Sequence, residues 1–464
     1  MVFGSGVFLY VFLPLFLAVY YLIPRRMRTL FVALASYVFY GWWRPDFVSL
    51  MLISTVVDFF SGRRIVAAQS RGETGKRWVS LSVVVNLGLL AYFKYANFGI
   101  DTLNAIFVAA GNEPVEWAKV VLPVGISFYT FQTLSYTIDV YRGSADPVKS
   151  FRDFMCYVAM FPQLVAGPIV RYNTIADQLH SRTHTLGKFY RGVLAFQAGF
   201  IKKLLIADPL GQVADTSFGA DALGSMSAWI GTAAYTFQIY FDFSGYSDMA
   251  IGLGLMIGFS FPINFSSPYR SNSITEFWRR WHISLSTFLR DYLYVPLGGN
   301  RKGKVRTYVN LSLTMLLGGL WHGAAWTFIA WGAYQGFWLV LERLAGRRLL
   351  LGWLPRFSHV PITMIFVMVG WVLFRAESLD GAGRHLAAMF GFASGDHALT
   401  MIHLQPGHYV AGAAAIAVTY LAPRTQDLIR STPNWWALGI QPLFLLSLVQ
   451  LHYASHVPFL YFQF

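Results

Sequence analysis

The sequence predicts an all-α, polytopic membrane protein, and two observations carry that prediction. Of 464 residues, 55% are hydrophobic and only 12% are charged, whereas soluble domains carry charge on about a quarter of their residues. Apolar stretches also recur along the whole chain, at 6–23, 30–43, 46–60, 78–97, 119–137, 190–206, 226–241, 247–262, 308–320, 324–342, 361–375, 408–422 and 437–452. A full crossing takes roughly 20 apolar residues, and several of these stretches are shorter or interrupted by Gly and Pro. About eleven transmembrane helices are therefore expected, the remaining segments being re-entrant or interfacial. Irregular backbone at that depth must be buried in protein or line a wet cavity, so the broken segments predict a pocket inside the bundle. No internal repeat, low-complexity tract or soluble domain divides residues 1–464, which read as one membrane domain.

In chain order, "VFLYVFLPLFLAVYYL" has no basic stretch before it and no small-residue cleavage site after it. It is expected to stay as the first span, because a cleaved signal needs both. "RRMR" (25–28) follows directly, and Arg63, Arg64, Arg71, Lys76 and Arg77 follow the third segment. The intervening "GWWRPD" holds one basic residue and 98–118 holds none. Basic loops gather in the cytoplasm, which predicts a periplasmic N-terminus. The +14 net charge is accounted for by this bias, and binding of nucleic acid, which needs a basic soluble domain, is not expected. The single cysteine, Cys156, allows no intramolecular disulfide and no cysteine-rich metal site, and reads as packing.

A polar residue inside a bilayer is costly and so points to function. Three regions hold such residues. In "FQIYFDFSGYSDMAIGLGL" (237–255), Asp242, Ser244, Tyr246 and Asp248 interrupt an apolar run. The two aspartates are six positions apart, off a common face of a continuous helix. A break at Ser244-Gly245 would turn both toward one cavity; alternatively they cap helix ends or pair with buried arginines.

In "FWRRWHISLSTFLRDYLYVPLGGNRKGK" (277–304), Phe277, Trp281, Phe288 and Tyr292 fall at helical spacing among Arg279, Arg280, Arg290 and Asp291. Such a basic, aromatic helix is expected in the cytoplasmic interface. Its arginines either anchor it or face anionic phosphates, which suit guanidinium geometry. His282 reads as a hydrogen-bonding partner inside the bundle or as a second site histidine.

The third region is "LGGLWHGAAWTFIAWG" (317–332), where His322 stands in an apolar segment. An unpaired polar group costs roughly 2–7 kcal/mol in an apolar medium, and the helix neighbours of His322 offer no carboxylate or hydroxyl. Gly318, Gly319 and Gly323 leave room for backbone or substrate to approach. A neutral imidazole is a suitable general base for a hydroxyl. His180 with His184, and His452 with His456, are spaced four apart, but neither pair carries the glutamate of a zinc-binding HExxH pattern, so no metal is expected.

These stretches carry a resemblance. "ASYVFYGWWRPDF" (35–47), "LPVGISFYTFQTLSYTIDVYRG" (122–143), "FPQLVAGPIVRY" (161–172), "FDFSGYSDMAIG" (241–252), "EFWRRWHISLSTFLRDYLYVPLGGNR" (276–301) and "LWHGAAWTFIAWG" (320–332) are similar to motifs of the membrane-bound O-acyltransferases. The N-terminal ones resemble the AlgI-like exopolysaccharide O-acetyltransferase branch (AlgI or WssH type). The match spans residues 1 to about 340, with the motif-bearing core at about 119–342; after 345 it is loose and mainly hydropathic.

The resemblance implies a ring of helices around a central funnel, with the membrane thinned at its centre, in the bacterial inner membrane. It implies that His322 is the catalytic histidine and His282 the second one. Acetyl-CoA would approach from the cytosol, its phosphates steered by Arg279, Arg280 and Arg290 with Trp321 in the same donor site. Asp242 would orient an imidazole or a cation, with Ser244, Tyr246 and Asp248 completing the pocket. The acetyl group would go to an exopolysaccharide, of alginate or cellulose type, directly or through a periplasmic acetyl-transfer protein of a synthesis and secretion complex. The chain length leans toward the cellulose type, and the N-terminus argues against D-alanylation of teichoic acid. The competing expectation is a transporter or export subunit without acyl chemistry, since broken helices with intramembrane carboxylates also suit substrate pathways. Inverted halves with matching interruptions are not visible in the sequence.

Overall fold

The computed structural model describes residues 1–220, 222–346, 351–393, 404–453 and 459–460, and every regular element among them is helical. The chain forms two compact units, Met1–Val193 with Ala250–Pro262, and Leu194–Met249 with Ile263–Phe464.

In the first unit a π-turn, Val7–Phe12, runs into α1 (Leu13–Leu22), followed by α2 (Arg25–Gly41), α3 (Phe47–Gln69), α4 (Lys76–Ala109), α5 (Ile126–Tyr141), α6 (Phe151–Ala159), α7 (Phe161–Leu164) and α8 (Tyr172–His180). The apolar segment at 119–137 becomes helical only at Ile126, because Pro123 and a left-handed Gly125 (φ 79°) precede it. A Cβ on Gly125 would lie 2.9 Å from the Leu164 carbonyl oxygen, so no larger residue fits this turn.

Almost all of α5 is buried, and its polar side chains meet those of α3 and α4. Asn86 donates to Asp58 (2.8 Å) and accepts from Ser54 (2.5 Å) and Thr133 (3.2 Å). Cys156 is fully buried, as packing. His180 lies 3.4 Å from Asp153, while His184 bonds the Tyr20 hydroxyl, so the two histidines have separate partners.

The second unit takes the C-terminal part of α9 (Leu186–Ile201), the π-turn Lys202–Ala207, α10 (Asp208–Phe218) and most of α11 (Ser225–Met256). It continues through α12 (Ile274–Arg280), α13 (Ile283–Leu289), α14 (Gly303–His322), α15 (Trp326–Leu344), α16 (Arg356–Arg375), α17 (Leu379–Met389), α18 (Pro406–Tyr420), α19 (Thr425–Ser431) and α20 (Asn434–Tyr453). Of the histidine pair near the C-terminus, His452 lies in the last turn of α20 and His456 lies outside the described residues.

Two expectations fail here. The segment at 226–241 and the first part of 247–262, to Met256, form one unbroken helix, α11, with no break at Ser244-Gly245. Gly245 serves close packing instead: a Cβ there would stand 2.7 Å from the Gly199 carbonyl oxygen of α9. Residues 277–304 are not one interfacial helix either, since α12 stops at Arg280 and the chain reverses through His282, whose φ is 43°. Phe277, Trp281 and Phe288 are buried, so their spacing reports packing against the unit's own interior rather than anchoring in lipid.

Among the described residues, α4 and α16 are each long and apolar enough to cross a bilayer alone. Apolar exposure extends well beyond them, with Leu15 at 63%, Val410 at 68% and Leu438 at 72%, while Asp58, Asn86, Asp242 and His282 are buried. Large exposed apolar surfaces are unusual on soluble monomers and mark a membrane or partner surface.

Candidate active site

The site lies wholly in the second unit and begins where α14 ends. Gly323 and Ala325 take extended backbone, which stops the helix at His322 and starts α15 at Trp326, after three intervening residues. The hairpin closes on glycines: a Cβ on Gly332 would lie 2.5 Å from the Met315 carbonyl oxygen, and one on Gly319 would strike the Phe328 carbonyl oxygen. Gly319 thus makes room for backbone, and the space beside Gly323 is filled by the Phe328 ring.

This packing sets His322, 5% exposed, among aromatic rings from three helices. Trp331 and Phe374 each approach edge-on at 5.2 Å between centroids, and Trp321 at 5.0 Å. The imidazole of His282 is 6.4 Å away, centroid to centroid. Trp321 also lies 6.3 Å from His282, so it belongs with the two histidines.

His282 is fully buried, and its position follows from the chain reversal. A non-glycine residue with positive φ is uncommon, His being one of the types that tolerate it, and such strain persists only when surrounding contacts over-determine it. The contacts come from Asn264. Its side-chain oxygen lies 3.2 Å from His282 Nδ1 and accepts from the Ser284 backbone N–H (3.2 Å) and hydroxyl (2.9 Å). Its amide nitrogen donates to the Ser247 hydroxyl at 3.2 Å. With the amide so oriented, the proton of neutral His282 belongs on Nδ1, leaving Nε2 as the basic nitrogen. Phe243 of α11 closes edge-on over the ring at 4.7 Å.

The two aspartates of α11 are held apart, about 120° around one helix. Asp248 pairs with Lys202 at 2.6 Å, and Lys202 also donates to Thr425 (2.8 Å). Asp242 pairs with Lys203 at 2.8 Å, accepts from the Leu460 backbone N–H (2.8 Å), and shares Lys203 with Asp208 (2.6 Å). Both are thus in ion pairs, as one of the alternatives had it, but with lysines in place of arginines. Asp242 holds the cation of Lys203. Ser244 and Tyr246 are buried on the same helix, and Tyr246 packs on Phe459 at 4.5 Å. Because α11 also carries Phe243 and Ser247, the two lysines fix the helix that supports His282.

The arginines lie elsewhere. Arg280 is bound to Glu276 at 2.5 Å and Arg290 to Asp291 at 2.6 Å, while Arg279 is exposed.

Asn264, Ser247, Ser284, Lys202, Lys203, Trp331 and Phe374 are absent from the sequence-based site. Lys202 and Lys203 could have been found by the cost argument that singled out Asp242, since they sit inside the apolar segment 190–206. Asn264 carries no such signal, lying in the polar stretch that follows α11.

An all-helical chain with apolar outer surfaces and a buried histidine pair fits a membrane-embedded acyl-transfer enzyme. The model of the membrane-bound O-acyltransferase family matches residues 147–379. A probable alginate O-acetylase AlgI of Azotobacter vinelandii is 49% identical over the full length of both chains. The probable alginate O-acetylase AlgI of Pseudomonas aeruginosa is 54% identical over 85% of this chain and 76% of its own. A peptidoglycan O-acetyltransferase of Helicobacter pylori is 35% identical over 84% of this chain and 80% of its own. The chain belongs to the membrane-bound O-acyltransferase family, in its AlgI-like branch, and is an acyltransferase. The transporter expectation gives way to this.

Proposed function

We propose that the chain is an O-acetyltransferase that takes acetyl from cytosolic acetyl-CoA and passes it across the inner membrane to an exopolysaccharide, directly or through a periplasmic acetyl-transfer protein. The observation that carries this reading is the approach of His282 to within 6.4 Å of His322 inside an aromatic enclosure. His322 accepts the proton of an acceptor hydroxyl as its oxygen attacks the acetyl carbonyl. The carbon–sulfur bond breaks as the carbon–oxygen bond forms, and the proton passes to the departing thiolate. His282, held by Asn264, presents its basic nitrogen to the site and orients the reacting groups.

Arg280 and Arg290 already share their charge with Glu276 and Asp291, so Arg279 and the exposed edge of Arg290 are left to steer the coenzyme's phosphates, with Trp321 lining the donor site. Ser244, Tyr246, Asp242 and Asp248 support the pocket from α11. The relatives named alginate O-acetylase favour alginate as the first acceptor to test, with a cellulose-type acceptor as the second. The multi-pass arrangement of about eleven spans, the periplasmic N-terminus and the inner-membrane location belong to the same proposal.

The test replaces His322 by Ala and by Asn in cells, with protein levels matched. Loss of a general base costs about 10²–10⁴-fold, so polymer acetylation should fall by that much in both variants. Normal acetylation in His322→Ala would remove the proposed role, and activity surviving only in His322→Asn would assign the residue to cavity shape.

A further inference from the structure

A cavity of about 320 Å³ opens beside the end of α16 and the start of α17. Its polar lining comes from Arg375, Glu377, Ser378, Arg384 and His385, with Phe218 and several alanines as apolar wall. The preceding residue, Phe374, is the ring that meets His322 edge-on at 5.2 Å. The cavity is therefore one residue from the aromatic enclosure of the proposed base.

Its side of the membrane follows from the helices. α14 starts at Gly303, within the basic stretch 301–304, and ends at His322; α16 starts after the basic stretch 343–348 and ends at Arg375. Basic loops lie in the cytoplasm. The cavity therefore shares with His322 the helix ends remote from that side, where an acceptor outside the cell membrane would arrive.

The lining is built. His385 is buried, stacks on Phe218 at 4.1 Å and bonds the Thr232 hydroxyl at 2.9 Å. Arg375 spends one nitrogen on Asp215 at 2.8 Å, while its buried Nε has no protein partner among the described residues. Arg384 pairs with Asp380, and the Ser378 hydroxyl accepts from the Gly381 backbone N–H at 3.0 Å. Three carboxylates (Asp215, Glu377, Asp380) thus stand against two guanidinium groups. A site for a polyanion would carry a clear excess of cations. This one offers donors and acceptors in balance beside an aromatic face, which suits a ligand read through neutral hydroxyl groups. The volume is at the small end of ligand pockets, about 300–1,000 Å³, and suits a short segment rather than a long one.

We propose that this cavity is an acceptor-side saccharide subsite that holds a sugar residue of the polysaccharide through its hydroxyls while a neighbouring residue reaches His322. The proposal rests on the acyltransferase reading above.

The experiment uses the full chain in lipid nanodiscs, titrated calorimetrically with a mannuronate hexasaccharide and with cellohexaose, at low and high salt. Glu377→Ala removes an acceptor, and Ala222→Trp, from an exposed lining residue, fills the space. Arg77→Ala, exposed and in the other unit, is the control. Thermal midpoints confirm folding. Neutral cellohexaose should bind the wild type and the polyanionic mannuronate hexasaccharide should bind more weakly. Both site variants should weaken cellohexaose binding at least about tenfold, the equivalent of one lost charged hydrogen bond. The control should match the wild type, and salt should change the affinity less than about twofold. Unaltered binding in both site variants, strong suppression by salt, no binding of cellohexaose to the wild type, or tighter binding of the mannuronate hexasaccharide overturns the subsite. Acetyl-CoA turnover by the wild type, followed in parallel, separates the two claims: intact binding without turnover counts against acetyl-CoA as the donor and leaves the subsite standing, whereas turnover without binding overturns the subsite alone.

Discussion

His282 Nδ1 lies 3.2 Å from the side-chain oxygen of Asn264, and this bond holds a left-handed histidine against His322. The orientation of one imidazole thus depends on an amide in the irregular stretch after α11. A residue that orients a functional histidine is commonly worth 10–100-fold in activity.

Asn264→Ala should lower acetyl transfer by about that factor, 10–100-fold, and destabilise the protein by about 1–3 kcal/mol through the unmade bonds to Ser284. Asn264→Asp keeps the accepting oxygen and should recover much of the activity. Transfer rates beside thermal midpoints for both variants check this. Equal loss in the two variants would show that general packing, not the accepted bond, is what matters.

Lys203 sits between Asp242 and Asp208 with 7% of its side chain exposed. Removing one partner of a buried ion pair costs about 3–5 kcal/mol, so Lys203→Met should unfold at markedly lower temperature or fail to accumulate. Lys203→Met with Asp242→Asn should regain part of the loss, because one of the two stranded carboxylates is gone while Asp208 remains. A double variant no more stable than the single one would assign the cost to shape.

Glycine positions separate contact from open space. Gly332→Leu drives a side chain into the Met315 backbone of the α14–α15 hairpin, and overpacking of this kind costs typically 1–3 kcal/mol or more. Gly383→Ala in α17 meets nothing within 4 Å and should stabilise by up to about 1 kcal/mol through helix propensity. Opposite shifts of the thermal midpoint are expected.

His184, in the loop between α8 and α9, should give stability a pH dependence. Burial, then the charges of Arg28, Arg182, Arg25 and Lys188, hold its imidazole down to about 4 from its ordinary 6.5. Between those values the unfolded chain binds more protons than the folded one, so stability rises with pH. The contribution is complete above pH 6.5 and is lost progressively as pH falls toward 4. His184→Gln should flatten the profile across that window. A thermal midpoint series from pH 4 to 8 reads it, and an unchanged slope would contradict the assignment.

The costly residues were legible without coordinates. Asp242, Asp248, His282 and His322 announce themselves because hydrocarbon penalises unpaired polar groups, and the structure buries all four. The same penalty marks Lys202 and Lys203, which complete the two ion pairs. The arginines were legible as charges but not as neighbours, since nothing in "FWRRWH" reveals that Glu276 takes Arg280 or that the chain turns at His282.

The sequence by itself determined the helical class, the apolar exterior and which polar side chains demanded a partner, because composition and periodicity are properties of the chain alone. Tertiary structure decided the partners: that α11 runs unbroken, that Asn264 rather than a carboxylate holds His282, and that Phe374 links His322 to a cavity at the end of α16. The physical reason is that the cost of burying a polar group is local, whereas the group that offsets it is brought in from a distant segment by the packing of helices.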